Sequence, residues 1–509
     1  MATIADDVAN SKPSWLARHF RFAERNTNLR TEVLGGITTF FVMAYIIFVN
    51  PFILTLNGSA QPPLVPPFAG LVTATCLVSA VATLAMGLYT NYPFALAPGL
   101  GINAVVAFGL VATNGLSWQA AMGLIFVEGV LITLLVLVGF REAVFHAIPV
   151  TLKRAIGVGI GLFILFIGLV NAGIVRVPVE SITITGNAAL SGATPLGALP
   201  SQGVQVGAPG TPVTLGNLTR LPIAMAIIGL LVTLWLMSRR VKAALLLGIL
   251  LTTVIAMIIK WIIPGATVSS VPTAADIRQL QFLRLDFSTI GQGFNFTAFN
   301  SPAAAARGLG FAAAVLVMFS LMLSDFFDTM GTVLGVGTKA DLVDKEGQLP
   351  RANRVLLVDS LAAALGGFFG VSSATTFIES AAGVSEGART GLASVVTGLC
   401  FLLALVLAPF AGLVPPEAVA PALIVVGFMM FAQVRDIEVS DLFDGFPALM
   451  TMVMMPLTYS ITNGIGAGFI TYVFLRVVSR RAREIHPLMW IVTLAFLLFF
   501  LIPLIEPLL

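Results

Sequence analysis

Charge is what this chain has least of. Only 10% of its 509 residues are Asp, Glu, Lys or Arg, while 58% are hydrophobic; a soluble domain carries about 25% charged residues. So few charges cannot cover a water-facing surface, which excludes an ordinary soluble fold and points to a polytopic membrane protein. The mean hydropathy of +0.99 agrees. Cysteine is nearly missing. Cys76 and Cys400 lie inside apolar runs, where a thiol packs as a small hydrophobe, so no disulfide framework or metal site is expected. The basic residues behind a pI near 9.0 form short clusters without interleaved aromatics. They read as helix ends under the positive-inside rule rather than as a nucleic-acid surface.

Residues 1–30 are polar, carry Arg18, Arg21, Arg25 and Arg30, and lack the short apolar core and cleavage site of a secretory signal. They are expected to form a cytoplasmic N-terminus. Runs long enough to span a bilayer, which takes about 20 apolar residues, follow at 32–56, 68–89, 92–112, 117–139, 148–170, 221–238 and 241–264. This order places Arg141, Lys153, Arg154, Arg239, Arg240 and Lys242 on the side of the N-terminus. The segment 176–220, rich in Gly, Pro, Ser and Thr with Val-Thr alternation, falls outside as a hairpin or an irregular loop. Further runs lie at 308–337, 352–370, 372–388, 390–413, 418–434, 446–462 and 464–480, with another at 488–508. That last run is an extra span unless two short predecessors form one broken helix.

What is there, against this apolar background, is acid. The run 308–337 has Ser324-Asp325-Phe326-Phe327-Asp328-Thr329-Met330-Gly331 at its centre. An ionisable group at mid-membrane costs roughly 2.5 to 3.5 kcal/mol on insertion scales, so it normally faces a cavity, an ion path or a substrate. Asp325 and Asp328 are spaced to share one helical face. Glu379 is a third such acid, and Glu128, in the fourth run, has no evident role.

The two halves look like a repeat. Ile148-Pro149 and the later Gly161 recur as Val414-Pro415 and Gly427. An odd number of spans per repeat inverts the second copy, and inverted repeats place a site at broken helices near the midplane. Two broken segments correspond: Tyr92-Pro93-Phe94-Ala95-Leu96-Ala97-Pro98-Gly99-Leu100-Gly101-Ile102-Asn103, and Ser372-Ser373-Ala374-Thr375-Thr376-Phe377-Ile378-Glu379-Ser380. Pro and Gly in the first, and β-branched threonines in the second, predict an extended strand leading into a half-helix in each. The strands are expected to pair across the pseudo-twofold axis, with the half-helix N-termini aimed at a ligand. Asn103 and Glu379 stand just beyond the breaks. For Asn103, a local cap and a ligand contact are equally open.

Four ordered motifs carry a resemblance: Arg30-Thr31-Glu32 leading into Thr38-Thr39-Phe40-Phe41-Val42-Met43-Ala44-Tyr45-Ile46-Ile47-Phe48-Val49-Asn50-Pro51; Ala97-Pro98-Gly99-Leu100-Gly101-Ile102-Asn103-Ala104; Ser324-Asp325-Phe326-Phe327-Asp328-Thr329-Met330-Gly331-Thr332; and Ile378-Glu379-Ser380-Ala381-Ala382-Gly383, followed by Arg389-Thr390-Gly391-Leu392. Over nearly its whole length the chain resembles the AzgA-like purine permeases of the second nucleobase cation symporter family. The resemblance implies an all-α polytopic fold like that of uracil transporters, with about 14 transmembrane segments in a 7+7 inverted repeat and short strands at broken segments 3 and 10. Core-domain repeats would occupy 31–140 and 308–413, gate-domain repeats 141–264 and 414–509, with an external linker at 265–307. It also implies that Asp325, Glu379 and Asn103 meet the nucleobase, with Gly101, Thr376 and Phe377 beside them, and that Asp328 serves coupling. Ser385-Glu386-Gly387 departs from the family by adding a charge.

The expected activity is import of adenine, guanine and hypoxanthine by proton symport with elevator-like alternating access across the cell membrane. Carboxylates accept from ring N-H groups of a neutral base, and Phe41, Phe94, Phe327 and Phe377 are candidate apolar walls. Several acids buried together resist simultaneous ionisation, so one of Asp325, Asp328 and Glu379 is expected to carry the coupled proton; sodium is the alternative ion. No cofactor or metal is called for, and a homodimer through the gate domains would suit the mechanism. A uracil or xanthine symporter is the nearest competitor. An anion transporter would want positive charge at the breaks, and an aspartyl protease would want its acids on different helices; no enzyme is expected.

Overall fold

Each span is started and interrupted by residues whose local chemistry leaves few alternatives. The structure, a computed structural model, describes residues 15–56, 62–138, 148–176, 182–184, 204–206, 213–262, 285–299, 311–344 and 349–505. After a short helix α1 (Trp15–His19), α2 (Leu29–Met43) begins where Asn28 accepts from the Thr31 amide. It breaks at Ala44-Tyr45 and resumes as α3 (Ile46–Leu54), which contains Pro51. Proline has no N-H to give the preceding turn, so the helix is weakened there. Helix α4 (Phe68–Ala85) runs into a wider π turn, Met86–Thr90, and the chain reverses at Asn91, whose φ of 58° is left-handed.

The third segment is broken as expected: strand β1 (Leu96–Pro98), then the half-helix α5 (Leu100–Ala104), prolonged by π turns over Val105–Thr113. Helix α6 (Trp118–Leu137) is capped by Ser117, and α7 (Val150–Asn171) starts directly after Pro149. Within 176–220 the described residues form two antiparallel pairs, β2 (Val175–Arg176) with β5 (Thr214–Leu215), and β3 (Ile182–Ile184) with β4 (Val204–Val206). Of the two readings left open for this segment, the strands belong to the hairpin. Helices α8 (Leu221–Ser238) and α9 (Ala244–Ile262) complete the first half.

The second half repeats the order: α10 (Phe311–Lys339), α11 (Ala352–Phe369), β6 (Ala374–Thr376), half-helix α12 (Ser380–Ser385), α13 (Gly391–Ala404, tightening to 3-10 turns over Leu405–Leu413), and α14 (Pro416–Phe431). Then come α15 (Leu442–Leu457), α16 (Ile461–Val478) and α17 (Pro487–Ile505). Among the described residues, 11 helices are long and apolar enough to cross a membrane, and three shorter apolar ones accompany them at Leu100–Ala112, Leu442–Leu457 and Pro487–Leu498. The protein is a multi-pass membrane protein, and its described residues are mostly helical.

The last three helices follow the sequence runs with small shifts. The spans read as 446–462 and 464–480 start and stop a few residues earlier, because Asp441 caps α15 and the chain turns at Thr458-Tyr459-Ser460, with Tyr459 at a φ of 54°. Arg476, near the end of α16, pairs with Asp444 at the start of α15 at 2.7 Å and also with Glu484. Helices α15 and α16 are therefore two antiparallel helices rather than one broken one, and α17 follows them.

The repeat is visible where α7 packs along α14. A Cβ on Gly161 would stand 3.0 Å from the Gly427 carbonyl oxygen, and one on Gly427 would stand 2.6 Å from that of Gly161. These two glycines, picked out by their offset in sequence, face each other across the axis, and only hydrogen fits between their backbones. Pro149 and Pro415 precede the two helices in the same way.

At one end of the bundle the N-terminal segment is tied down. Glu32 accepts from the backbone N-H groups of Arg389 (2.8 Å) and Thr390 (3.2 Å), the N-terminus of α13, where a carboxylate is favoured. Arg25 donates to the Arg389 carbonyl at 3.0 Å, and nearby Glu386 forms an ion pair with Lys242 of the α8–α9 link. The N-terminus and that basic link thus lie at the same end, as the charge pattern requires.

Candidate functional site

The site is built where two strands meet in the middle of the bundle. β1 and β6 pair antiparallel, Leu96 opposite Thr376, Ala97 opposite Thr375 and Pro98 opposite Ala374. Flanking bonds extend the pairing: Gly99 N-H to the Ser373 carbonyl (2.8 Å), Phe377 N-H to that of Ala95 (2.9 Å), and Ala95 N-H to Ser380 Oγ (2.9 Å). A two-stranded ribbon has two outer edges, and backbone groups inside a membrane must find partners within the protein. On the β1 edge the Thr83 hydroxyl of α4 donates to the Leu96 carbonyl at 3.0 Å and accepts from its N-H at 2.9 Å. On the β6 edge Asp359 of α11 accepts from the Thr376 N-H at 3.1 Å through one oxygen and from the Thr329 hydroxyl at 2.8 Å through the other.

Beside this ribbon lies a cleft. Its walls are Tyr45 from the α2–α3 break, Gly99, Leu100 and Gly101 at the start of α5, Asp328 and Thr332 of α10, Thr376, Phe377, Ile378 and Glu379 at the start of α12, and Val426, Met430 and Gln433 from α14 and the turn after it. Two carboxylates face one space, with an aromatic ring and an amide beside them, and no basic side chain is among these lining residues. The Tyr45 hydroxyl donates to Glu379 Oε1 at 2.6 Å.

Of the residues singled out in the sequence, Gly101, Asp328, Thr376, Phe377 and Glu379 are brought together in this cleft. Gly101 has a second constraint: a Cβ there would sit 2.6 Å from Ile160 Cγ2 of α7, so the half-helix approaches that helix through hydrogen. Asp325 is placed differently from the expectation. It is fully buried behind the ribbon, where Ser373 Oγ donates to it at 3.3 Å. Three residues advance a helix by about 300°, which leaves the two aspartates about 60° apart, enough for Asp328 to reach the cleft and Asp325 to miss it. Asn103 also lies off the wall. It is fully buried, and its Nδ2 donates to Asn50 Oδ1 at 2.6 Å, while Asn50 donates to Thr75 at 2.7 Å.

The aromatic candidates divide too. Phe377 lines the cleft, Phe94 is buried and stacks on Tyr92 with centroids 5.5 Å apart, and Phe41 is 48% exposed on the outside of the bundle; the Phe327 side chain lies outside the described residues. Sequence reasoning missed Tyr45, Thr332, Gln433 and Asp359. For Asp359 the signal was present, since it is an acid inside the apolar run 352–370 and the rule that flagged Glu379 applies to it equally. Glu128 is fully buried in α6, away from the cleft walls.

Comparison with known proteins agrees with this architecture. The family model Xan_ur_permease, described as the permease family, matches residues 30–206 and 196–467. The guanine/hypoxanthine permease PbuG of Bacillus subtilis is 40% identical over 485 residues, covering 95% of this chain and 98% of its own length. The adenine permease AdeP of Escherichia coli is 38% identical over 483 residues, covering 95% of each. Among solved structures, the transmembrane domain of a cyanobacterial bicarbonate transporter, BicA, superposes with a TM-score of 0.54 at 15% identity, over 87% of this chain and 97% of that one. SLC26A9 does so with a TM-score of 0.56 at 12% identity, over 92% of this chain and 67% of that one; at such identities the likeness concerns the fold alone. The match across nearly the whole length, together with the paired broken segments, shows that this chain belongs to the permease family, as a membrane transporter of the AzgA-like kind and not an enzyme.

Proposed function

We propose that the protein imports purine nucleobases, adenine, guanine and hypoxanthine, by proton symport. The observation that carries this reading is the pair of carboxylates, Asp328 and Glu379, in one cleft with Phe377. A purine offers ring N-H donors at its edge and an apolar face: carboxylates accept from the first, and an aromatic ring covers the second. Gln433 offers both a donor and an acceptor. The relatives that transport guanine, hypoxanthine or adenine point the same way.

Glu379 is the main substrate acceptor in this reading, and Asp328 carries the coupled proton; Asp325 acts from behind through Ser373, and Asn103 holds the opposite half-helix. With the proton and base aboard, the core domain (31–140 and 308–413) slides past the gate domain (141–264 and 414–509) in an elevator-like step. An empty core with its acids charged resists that step, because a charge inside the membrane is costly. The setting is the cell membrane, with the arginine-bearing N-terminus in the cytoplasm, and a homodimer through the gate domains would hold the frame still.

The test is uptake of radiolabelled adenine, guanine, hypoxanthine, xanthine and uracil by cells lacking their own nucleobase carriers, with and without a protonophore, alongside Asp328→Asn. Purine accumulation that collapses with protonophore and in the variant supports the proposal. Accumulation that persists without a proton gradient but needs sodium replaces the ion, and accumulation of uracil or xanthine alone replaces the substrate.

A further inference from the structure

Tyr45 is buried at the junction of α2 and α3. Its hydroxyl is spent on Glu379 Oε1, at 2.6 Å, across 334 residues of sequence. The short helix it heads is anchored a little further on, because Asn50 accepts from Asn103 Nδ2 at 2.6 Å and donates to Thr75 at 2.7 Å. Helix α3 therefore bonds to both broken segments, to the first through Asn50 and to the second through Tyr45. Its two polar residues leave it little freedom to turn, and the hydroxyl is aimed by structure outside the cleft.

We propose that Tyr45 is a positioning residue for substrate: it clamps one oxygen of Glu379, so that the other is held at the angle that accepts a nucleobase N-H. This rests on the purine reading above. A free carboxylate rotates about its terminal bond, and fixing it beforehand removes an ordering cost from binding. A hydrogen bond to a charged group is the strong kind, and its loss weakens binding by about tenfold or more. A tyrosine that served packing alone would act independently of Glu379, whereas a clamp has nothing to do once Glu379 cannot act.

The experiment is a double-mutant cycle in equilibrium binding. Purified wild type, Tyr45→Phe, Glu379→Gln and the double variant are titrated with radiolabelled adenine, guanine and hypoxanthine. We expect Tyr45→Phe to bind at least tenfold more weakly, and the double variant to bind no more weakly than Glu379→Gln alone. Tyr45→Phe binding within twofold of wild type, or a double variant whose loss is the product of the two single losses, overturns the proposal while the purine reading stands. Wild-type protein that binds none of the three bases overturns both. If Tyr45→Phe does not give monodisperse protein, 3-fluorotyrosine at position 45 keeps the shape and changes only the hydroxyl acidity: altered affinity supports the clamp, and unchanged affinity overturns it.

Discussion

The two broken segments share a backbone plan but differ in what they bring to it. Each is a strand of three residues leading into a half-helix, and they pair with each other. In the first repeat the strand edge is satisfied by a neutral hydroxyl, Thr83, which serves both the N-H and the carbonyl of Leu96. In the second, an acid, Asp359, serves the N-H of Thr376 and the Thr329 hydroxyl. The first segment gives the cleft only Gly99, Leu100 and Gly101, while the second gives Thr376, Phe377 and Glu379. Backbone inside a membrane needs a hydrogen-bond partner, and either a hydroxyl or a carboxylate will do. The repeat explains the shape; of the two broken segments only the second brings a charged side chain to the cleft, and the proposal above places the substrate chemistry there.

Ways to break this contrast differ in size. Glu379→Gln removes the charge of the second copy and should reduce purine uptake at least a hundredfold with protein at normal levels in the membrane, measured by initial rates. Asp359 separates brace from charge. Asp359→Ala leaves the Thr376 N-H and the Thr329 hydroxyl unpaired, each costing about 1–3 kcal/mol, and should sharply lower the melting temperature of purified protein. Asp359→Asn keeps an acceptor for Thr376 and should melt close to wild type, so any loss of uptake in it reports the charge. Thr83→Val, the first-repeat counterpart, strips both partners from Leu96 and should destabilise the fold by about 2 kcal/mol, with the affinity of the surviving folded protein unchanged in a binding assay. The smallest effect belongs to Phe41→Ala, on the outer surface, which should leave uptake within twofold of wild type.

Much of this contrast was legible because membrane burial makes sequence signals loud. Pro98, Gly99 and Gly101 in one run, and Thr375 and Thr376 in another, announce strands inside apolar segments, and they form and pair as the sequence implies. The offset of Gly161 and Gly427 was readable because a close helix crossing restricts residue size. Asp328 and Asp325 could not be told apart, since spacing places both on one face while the cleft edge falls between them. Tyr45 was hidden for another reason. A tyrosine among apolar residues looks like packing until the fold brings Glu379 to it. The double role of Arg30-Thr31-Glu32 and Arg389-Thr390-Gly391, which meet when Glu32 caps α13, likewise needs the folded chain.

The most direct test of the account is a structure of the protein with a purine bound, determined in lipid at saturating hypoxanthine, guanine or adenine. The base should lie in the cleft, its edge within hydrogen-bond distance of Glu379 and its face against Phe377, with Thr83 and Leu96 of the first repeat untouched. A base seated instead against Asn50 and Asn103, or one that makes no contact with Glu379, would contradict it.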